Sequence, residues 1–188
     1  MSGVPVRDPP DRAAEVILRD GSTVRVRPVR ADDAAAVGCL FQGLSETSKW
    51  LRLFSACLDL DRVVGWATEV DHNRRDGLVA IAGDNGKVIA HAGFQRDDRR
   101  PDRAEFAIVI ADGYQGRGLG TILLGRLAEM ADRAGVRTFI GEVLADNHRM
   151  LRMLCHSGFG VSFRRTRGVV LVELPTSLGR GAGTITAA

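Results

Sequence analysis

Cysteine is scarce in this sequence: of 188 residues only Cys39, Cys57 and Cys155 are cysteine, and no two form a C-x-x-C pair. A disulfide framework is therefore not expected, and the four histidines show no ligand spacing that would suggest a metal. Long apolar runs are missing too; none approaches the ~20 residues that cross a bilayer. Residues 1–14 carry Pro5, Pro9 and Pro10 among Arg7, Asp8, Asp11 and Arg12, without the apolar core of a signal peptide. A cytoplasmic protein with no membrane association is expected. Charge of one sign is not concentrated either. The 26 Lys and Arg interleave with 23 Asp and Glu for a net charge of +3, which argues against a nucleic-acid partner. One basic cluster, Arg164, Arg165 and Arg167, reads as an exposed hairpin turn, with contact to a polyphosphate as the alternative.

What is present fits one globular domain: 45% of residues are hydrophobic and 26% charged, enough to build a core unaided. Residues 1–14 and 175–188, the latter rich in Gly, Thr, Ser and Ala, read as disordered ends around a domain at 15–174. Inside it, period-two alternation predicts a strand at 23–29. Helices are expected at 31–44, 45–53 and 59–70. Strands follow at 77–82, at 87–95 after an Asp84-Asn85-Gly86 turn, and at 104–111. The strongest helix is 118–134, where Leu119, Ile122, Leu123, Leu127, Met130 and Ala134 form one apolar stripe and Gly135 ends it. A strand at 137–145, a helix at 147–157 and two short strands within 159–174 complete the domain. The strand-helix-strand passage through residue 118 implies a parallel crossover in a mixed α/β sheet.

The junction before that helix, Gln115-Gly116-Arg117-Gly118-Leu119-Gly120, places three glycines within five residues. Glycine lets the backbone turn tightly and bring its N–H groups to a ligand, and a helix N-terminus adds partial positive charge, so an anion site is expected. A dinucleotide fingerprint would follow the first strand, whereas this loop follows about four. A P-loop needs lysine before Ser or Thr, and Gly120-Thr121 has none.

The loop matches, position for position, the Arg/Gln-x-x-Gly-x-Gly/Ala pattern of the GNAT superfamily of acyl-CoA-dependent N-acyltransferases, which the chain resembles. Asn147, followed eleven residues later by Gly158-Phe159, reproduces a second family pattern. Upstream, Asp20-Gly21-Ser22, Pro28, Asp32, Leu44-Ser45-x-x-Ser48 and Arg52-x-Phe54 look like the bacterial protein-lysine acetyltransferases related to Pat. The resemblance implies the GNAT fold, a mixed and mostly antiparallel sheet of six or seven strands with about four flanking helices. It also implies acetyl-CoA as co-substrate, with no metal. The pyrophosphate would take N–H groups of Gln115, Gly116, Arg117, Gly118, Leu119, Gly120 and Thr121. The pantetheine arm would run like an added strand along Ile108, Val109 and Ile110, with Asn147 and Met150 at its inner end. The implied activity is acetylation of protein lysines, with AMP-forming acyl-CoA synthetases as the expected partners.

Such transfer requires removing a proton from an ammonium of pKa about 10.4 and stabilising a tetrahedral oxyanion. Glu105, where these acetyltransferases place a glutamate, is assigned as the base, and burial beside Phe106 and Ile108 is expected to strengthen it. The alternative for Glu105 is a surface ion pair with Arg103. Glu142 has a supporting role, in lysine binding or as a second base, against the alternative of a solvent-facing strand end. Many family members have a tyrosine acid where this chain has Leu154, and its single tyrosine, Tyr114, precedes the loop. A thiolate of pKa about 8.5 can leave unaided. Cys155, Trp50 and Phe54 read as packing, His156 as a last-turn cation, and His72 and His91 have no role. Two other functions remain open: acetylation of small amines or protein N-termini, and a non-catalytic acyl-CoA-binding module.

Overall fold

Alternating polarity builds the first strands. The structure, a computed structural model, describes residues 13–53, 59–83 and 86–177. β1 (Ala14–Ile17) and β2 (Thr23–Pro28) form a hairpin in which Val24 and Val26 are buried while Thr23 and Arg25 face solvent. A short 3-10 turn (Ala31–Asp33) leads into α1 (Ala34–Gln42), followed by α2 (Glu46–Leu53) and α3 (Leu60–Thr68). The next strands, β3 (Arg75–Ala82), β4 (Val88–Arg96) and β5 (Arg103–Ile110), pair antiparallel in series. α4 (Leu119–Arg133) then crosses over to β6 (Thr138–Leu144), which runs parallel to β5. After α5 (His148–Cys155), the hairpin of β7 (Ser162–Thr166) and β8 (Val169–Pro175) closes the sheet in the order β1-β2-β3-β4-β5-β6-β8-β7.

The sheet buries a different core on each face. One core gathers the apolar stripe of α4 and Leu154 of α5 against Phe94, Phe106 and Phe139. The Phe106 and Phe139 rings stack at 5.3 Å. The other places Val37, Leu40 and Phe41 of α1 and Ala67 of α3 on Val79, Val88 and Val109. Polar fastening supplements it: both Arg27 guanidinium nitrogens bond the Asp33 carboxylate at 2.6 and 2.7 Å.

The mixed α/β sheet with a parallel crossover is as expected; among the described residues it has eight strands where six or seven were implied, and the five α-helices are those the periodicity predicts. The unexpected strand is β1, which begins at Ala14 and so moves the domain boundary into the segment read as a disordered end. The C-terminal boundary shifts as well. Pro175 lies opposite Thr138, and Thr176 is buried, its hydroxyl donating to Val136 O at 2.8 Å. Asp84 and Asn85 of the anticipated turn lie outside the described residues, as do Phe54 and Cys57. Among the described residues no helix is long and apolar enough to cross a membrane.

Candidate active site

Among the described residues, no side chain caps the helix that follows the glycine loop. Gly116 and Gly118 have φ of 79° and 91°, a left-handed conformation that glycine adopts without a Cβ penalty. Gly118 is the N-cap of α4 and supplies no side-chain cap, whereas Asp59 caps α3 and Asn147 caps α5, each accepting from a backbone N–H at 3.1 Å. Among the described residues the N–H groups of Gly116, Arg117 and Gly118 have no internal acceptor. The first-turn N–H groups of Leu119, Gly120 and Thr121 lack intrahelical partners by geometry. This cradle is suited to a phosphate group. A Cβ on Gly120 would stand 3.4 Å from Ile110 Cδ1 and 3.7 Å from Met153 Cγ, ordinary contact distances that an alanine would meet without strain. Arg117 presents its backbone N–H to the cradle, while its part-exposed guanidinium pairs with Asp20 at 2.6 Å and lies over the Tyr114 ring. Leu119 has its side chain in the core, while Thr121 is exposed beside the loop.

From this cradle an open cleft of about 1890 Å³ runs between β5 and β6. The two strands pair only at Arg103, Ala104 and Glu105 and then splay apart. Ala111 N–H donates to Ile89 O on the β4 side, so alternation turns the backbone groups of Ile110 and Ile108 toward the gap. Ile110 O is already taken, accepting from Gln115 Nε2 at 2.9 Å, which leaves Ile108 as the open rung for an extended ligand. Val109 differs from expectation: its side chain lies in the α1 core and its backbone faces β4, so it walls the cleft rather than binding within it. Gln115 also differs: the N–H expected to meet the pyrophosphate donates to Asp112 O at 3.2 Å. Its side chain bonds Ile110, Ser48 and Asp112 and accepts from Arg149, so it braces the loop instead of meeting a ligand. Asn147 and Met150 line the cleft, with the Asn147 oxygen occupied as the α5 cap.

The far end of the cleft is an open sheet face. Register places Glu105 beside Ile140 and Ile140 beside Glu173, with Glu142 beside Leu171 and Leu171 beside Arg164. Glu105, Glu142 and Glu173 therefore share one face. Glu105 is exposed, which overturns the expectation of burial beside Phe106: Phe106 points to the opposite core by strand alternation. Arg103 pairs with Glu173 at 3.3 Å, and no ion pair joins Arg103 to Glu105 among the described residues. A cation not expected from the sequence is nearby. Arg52 of α2 holds its guanidinium 5.5 Å from the Trp66 ring centroid, with Nε buried and unpartnered among the described residues. Burial lowers its pKa to about 10, opposed by the charge of Glu105. Arg52, Ser45 and Ser48 lay within the upstream pattern of the sequence, but nothing local connected them to the loop or to Glu105.

Other residues have bland roles. Leu154, at the family's tyrosine position, is wholly buried in the α4 core. Cys155 is exposed rather than packed, and Trp50 is 50% exposed, because both lie on outward helix faces. His156 closes α5, its Nδ1 2.8 Å from Arg152 O. Among the described residues no cluster of three or more His, Cys, Asp or Glu could hold a metal ion.

A model of the acetyltransferase (GNAT) family matches residues 46–159. Acetyltransferase Pat of Mycolicibacterium smegmatis is 32% identical over 159 residues, which are 85% of this chain and 47% of that protein. The chain thus spans about half the length of that curated relative. The crystal structure of the GNAT domain of S. lividans PAT is similar with a TM-score of 0.78 at 34% identity, covering 87% of this chain and 96% of that one. A cAMP-binding acyltransferase from Mycobacterium smegmatis is similar at TM-score 0.62 and 29% identity, covering 89% of this chain and 48% of that one.

Proposed function

Because the chain belongs to the acetyltransferase (GNAT) family, we propose that it moves an acetyl group from acetyl-CoA to lysine side chains of protein acceptors, with AMP-forming acyl-CoA synthetases as the acceptor class. The uncapped N-terminus of α4 and the N–H groups of Gly116, Arg117 and Gly118 suit the pyrophosphate. The β5–β6 gap suits the pantetheine arm, with the Ile108 backbone as its rung. Bound there, the donor supplies a thioester carbonyl activated toward amine attack. Glu105 takes the proton from the incoming ammonium, directly or through one water, and Glu142 on the same face draws the cation in. With Leu154 buried where an acid would stand, the thiolate departs without a protein donor.

The observation that carries this reading is the continuity of the cradle, the strand gap and the acidic open face in a single cleft. The Pat-named relatives favour a protein acceptor. The test combines the purified chain, acetyl-CoA and an acetyl-CoA synthetase. Mass spectrometry should find one acetylated lysine in the synthetase active site, and synthetase activity should fall. An unmodified, fully active synthetase would refute the acceptor assignment. Near-native turnover by Glu105→Gln would refute the base.

A further inference from the structure

The pattern Leu44-Ser45-x-x-Ser48 takes no part in the transfer chemistry, yet its two serines reach across about 65 residues of sequence to the turn that precedes the glycine loop. Ser45 N–H and Oγ donate to Asp112 Oδ2 and Oδ1 at 2.7 and 3.1 Å, and Ser48 Oγ donates to the same carboxylate. Gln115 Nε2 joins Ser48 Oγ at 3.2 Å, Asp112 Oδ1 at 3.2 Å and Ile110 O at 2.9 Å, while Arg149 of α5 donates to Gln115 Oε1. Burial alone would raise the Asp112 pKa, but the serine bonds and the charge of Arg149 outweigh it and hold the carboxyl below its ordinary value. One carboxylate and one amide therefore fasten the start of α2, the end of β5 and α5 to the loop.

The fastening matters because the other contacts of α2 lie at its C-terminal end. No residue of α2 is fully buried; Leu53 packs against the α1–α3 core and Arg52 lies over Trp66, which leaves the start of the helix to these polar bonds. The helix nevertheless forms a wall of the cleft through Thr47, Ser48, Leu51 and Arg52, and Arg52, half-buried with its Nε enclosed, is the cation near Glu105. Gln115 and Gly116 are adjacent in the chain, so ordering the loop N–H groups around an anion also orders the braces of α2.

On the reading of the loop as the pyrophosphate seat, we propose that Asp112 and Gln115 are positioning residues through which coenzyme A, once bound, sets the acceptor-side helix α2. Coupling of this kind is reciprocal in binding free energy, so acceptor engagement of α2 tightens coenzyme A in turn.

Hydrogen exchange of the full chain with and without coenzyme A tests it. In the wild type, coenzyme A should slow exchange at 116–121 and, by about fivefold or more, at 46–53, the lower end of ordinary coupling between sites. In Asp112→Ala the slowing at 116–121 should persist and that at 46–53 should vanish. Its KM for the acceptor protein at saturating acetyl-CoA should rise about tenfold while the acceptor-free protein still binds coenzyme A within about twofold by calorimetry, a split that general loosening would not produce. Should Asp112→Ala fail to fold, Asp112→Asn and the Ser45→Ala/Ser48→Ala double variant break the same bonds more gently. Slowing at 46–53 that survives these substitutions overturns the proposal, as does wild-type slowing confined to 116–121. No slowing at 116–121 in the wild type would instead remove the pyrophosphate reading beneath it.

Discussion

Acid should unfold this protein partly through one histidine. His91 is 1% exposed in β4, with Nε2 3.1 Å from Ala67 O and therefore carrying the proton, and with Nδ1 unpartnered among the described residues. Burial, reinforced by the charge of Arg52 and opposed by the Ala67 bond, lowers its pKa from 6.5 to about 4. The folded state thus holds the neutral ring, whereas the unfolded chain protonates near the ordinary value. Stability from this group is complete above about pH 6.5 and is lost as pH falls from there toward 4. The full gap corresponds to about 3 kcal/mol, and about 2 kcal/mol of it should disappear between pH 7 and pH 5. His91→Gln removes the titration while retaining an amide donor for Ala67. Urea denaturation of both proteins at pH 7, 6 and 5 isolates the effect, because the other titrating groups are common to both. The wild type should lose about 2 kcal/mol more than the variant over that range. Parallel losses, within about 0.5 kcal/mol, would show that the buried ring does not resist protonation as this geometry requires.

Three further outcomes are expected. Glu105→Gln should lower kcat/KM by about 10²- to 10⁴-fold in thiol-release assays, with coenzyme A affinity by calorimetry unchanged within about twofold. Gly118→Ala forces a side chain into a left-handed φ of 91°, so it should weaken coenzyme A binding by about tenfold and lower stability by roughly 1–2 kcal/mol, read by calorimetry and thermal melting. Asp33→Asn breaks the part-buried bonds from Arg27 and the Arg30 N–H, at a cost of about 1–3 kcal/mol near neutrality. The bonds from those partners outweigh burial and lower the Asp33 pKa, so its contribution is present above about pH 4 and lost below it, and the variant should show a shallower acid slope there.

The elements legible in the sequence were those specified by local chemistry. The Leu119, Leu123 and Leu127 stripe repeats at helical spacing and faces a core as expected. The loop could be read because φ values near 80° and 90° at Gly116 and Gly118 are a backbone requirement that glycine alone announces. β1 was illegible for the opposite reason: four residues long, with a single polar residue, Glu15, and ending in an Ile17 that is 73% exposed, it is a strand because β2 offers an edge. At the site, the residues that sequence reasoning missed have surroundings that come from distant segments. Arg52 meets Trp66 and Glu105, and Asp112 meets Ser45 and Ser48, only after the sheet has formed. Whether Glu105 is covered depended on how far α2 and α3 extend over the sheet, which no strand pattern encodes.

The exposure of Glu105 changes the argument about the acceptor rather than the assignment of the base. In water, an ordinary glutamate and a lysine ammonium differ in pKa by about six, a mismatch of about 8 kcal/mol for direct proton transfer. A buried glutamate could reduce that gap within the free protein, but this one lies on an open face with Glu142 and Glu173. The desolvation that strengthens a carboxylate base and its attraction for an ammonium must therefore arrive with the acceptor. A small amine leaves most of such a face wet. A protein surface laid across β5, β6 and β8 excludes water from all three carboxylates at once, while Arg52, half-buried against Trp66, supplies a compensating charge to Glu105. On the proposed reading, the exposure of Glu105 among the described residues is the reason to expect a macromolecular acceptor: the catalytic environment is completed by the substrate.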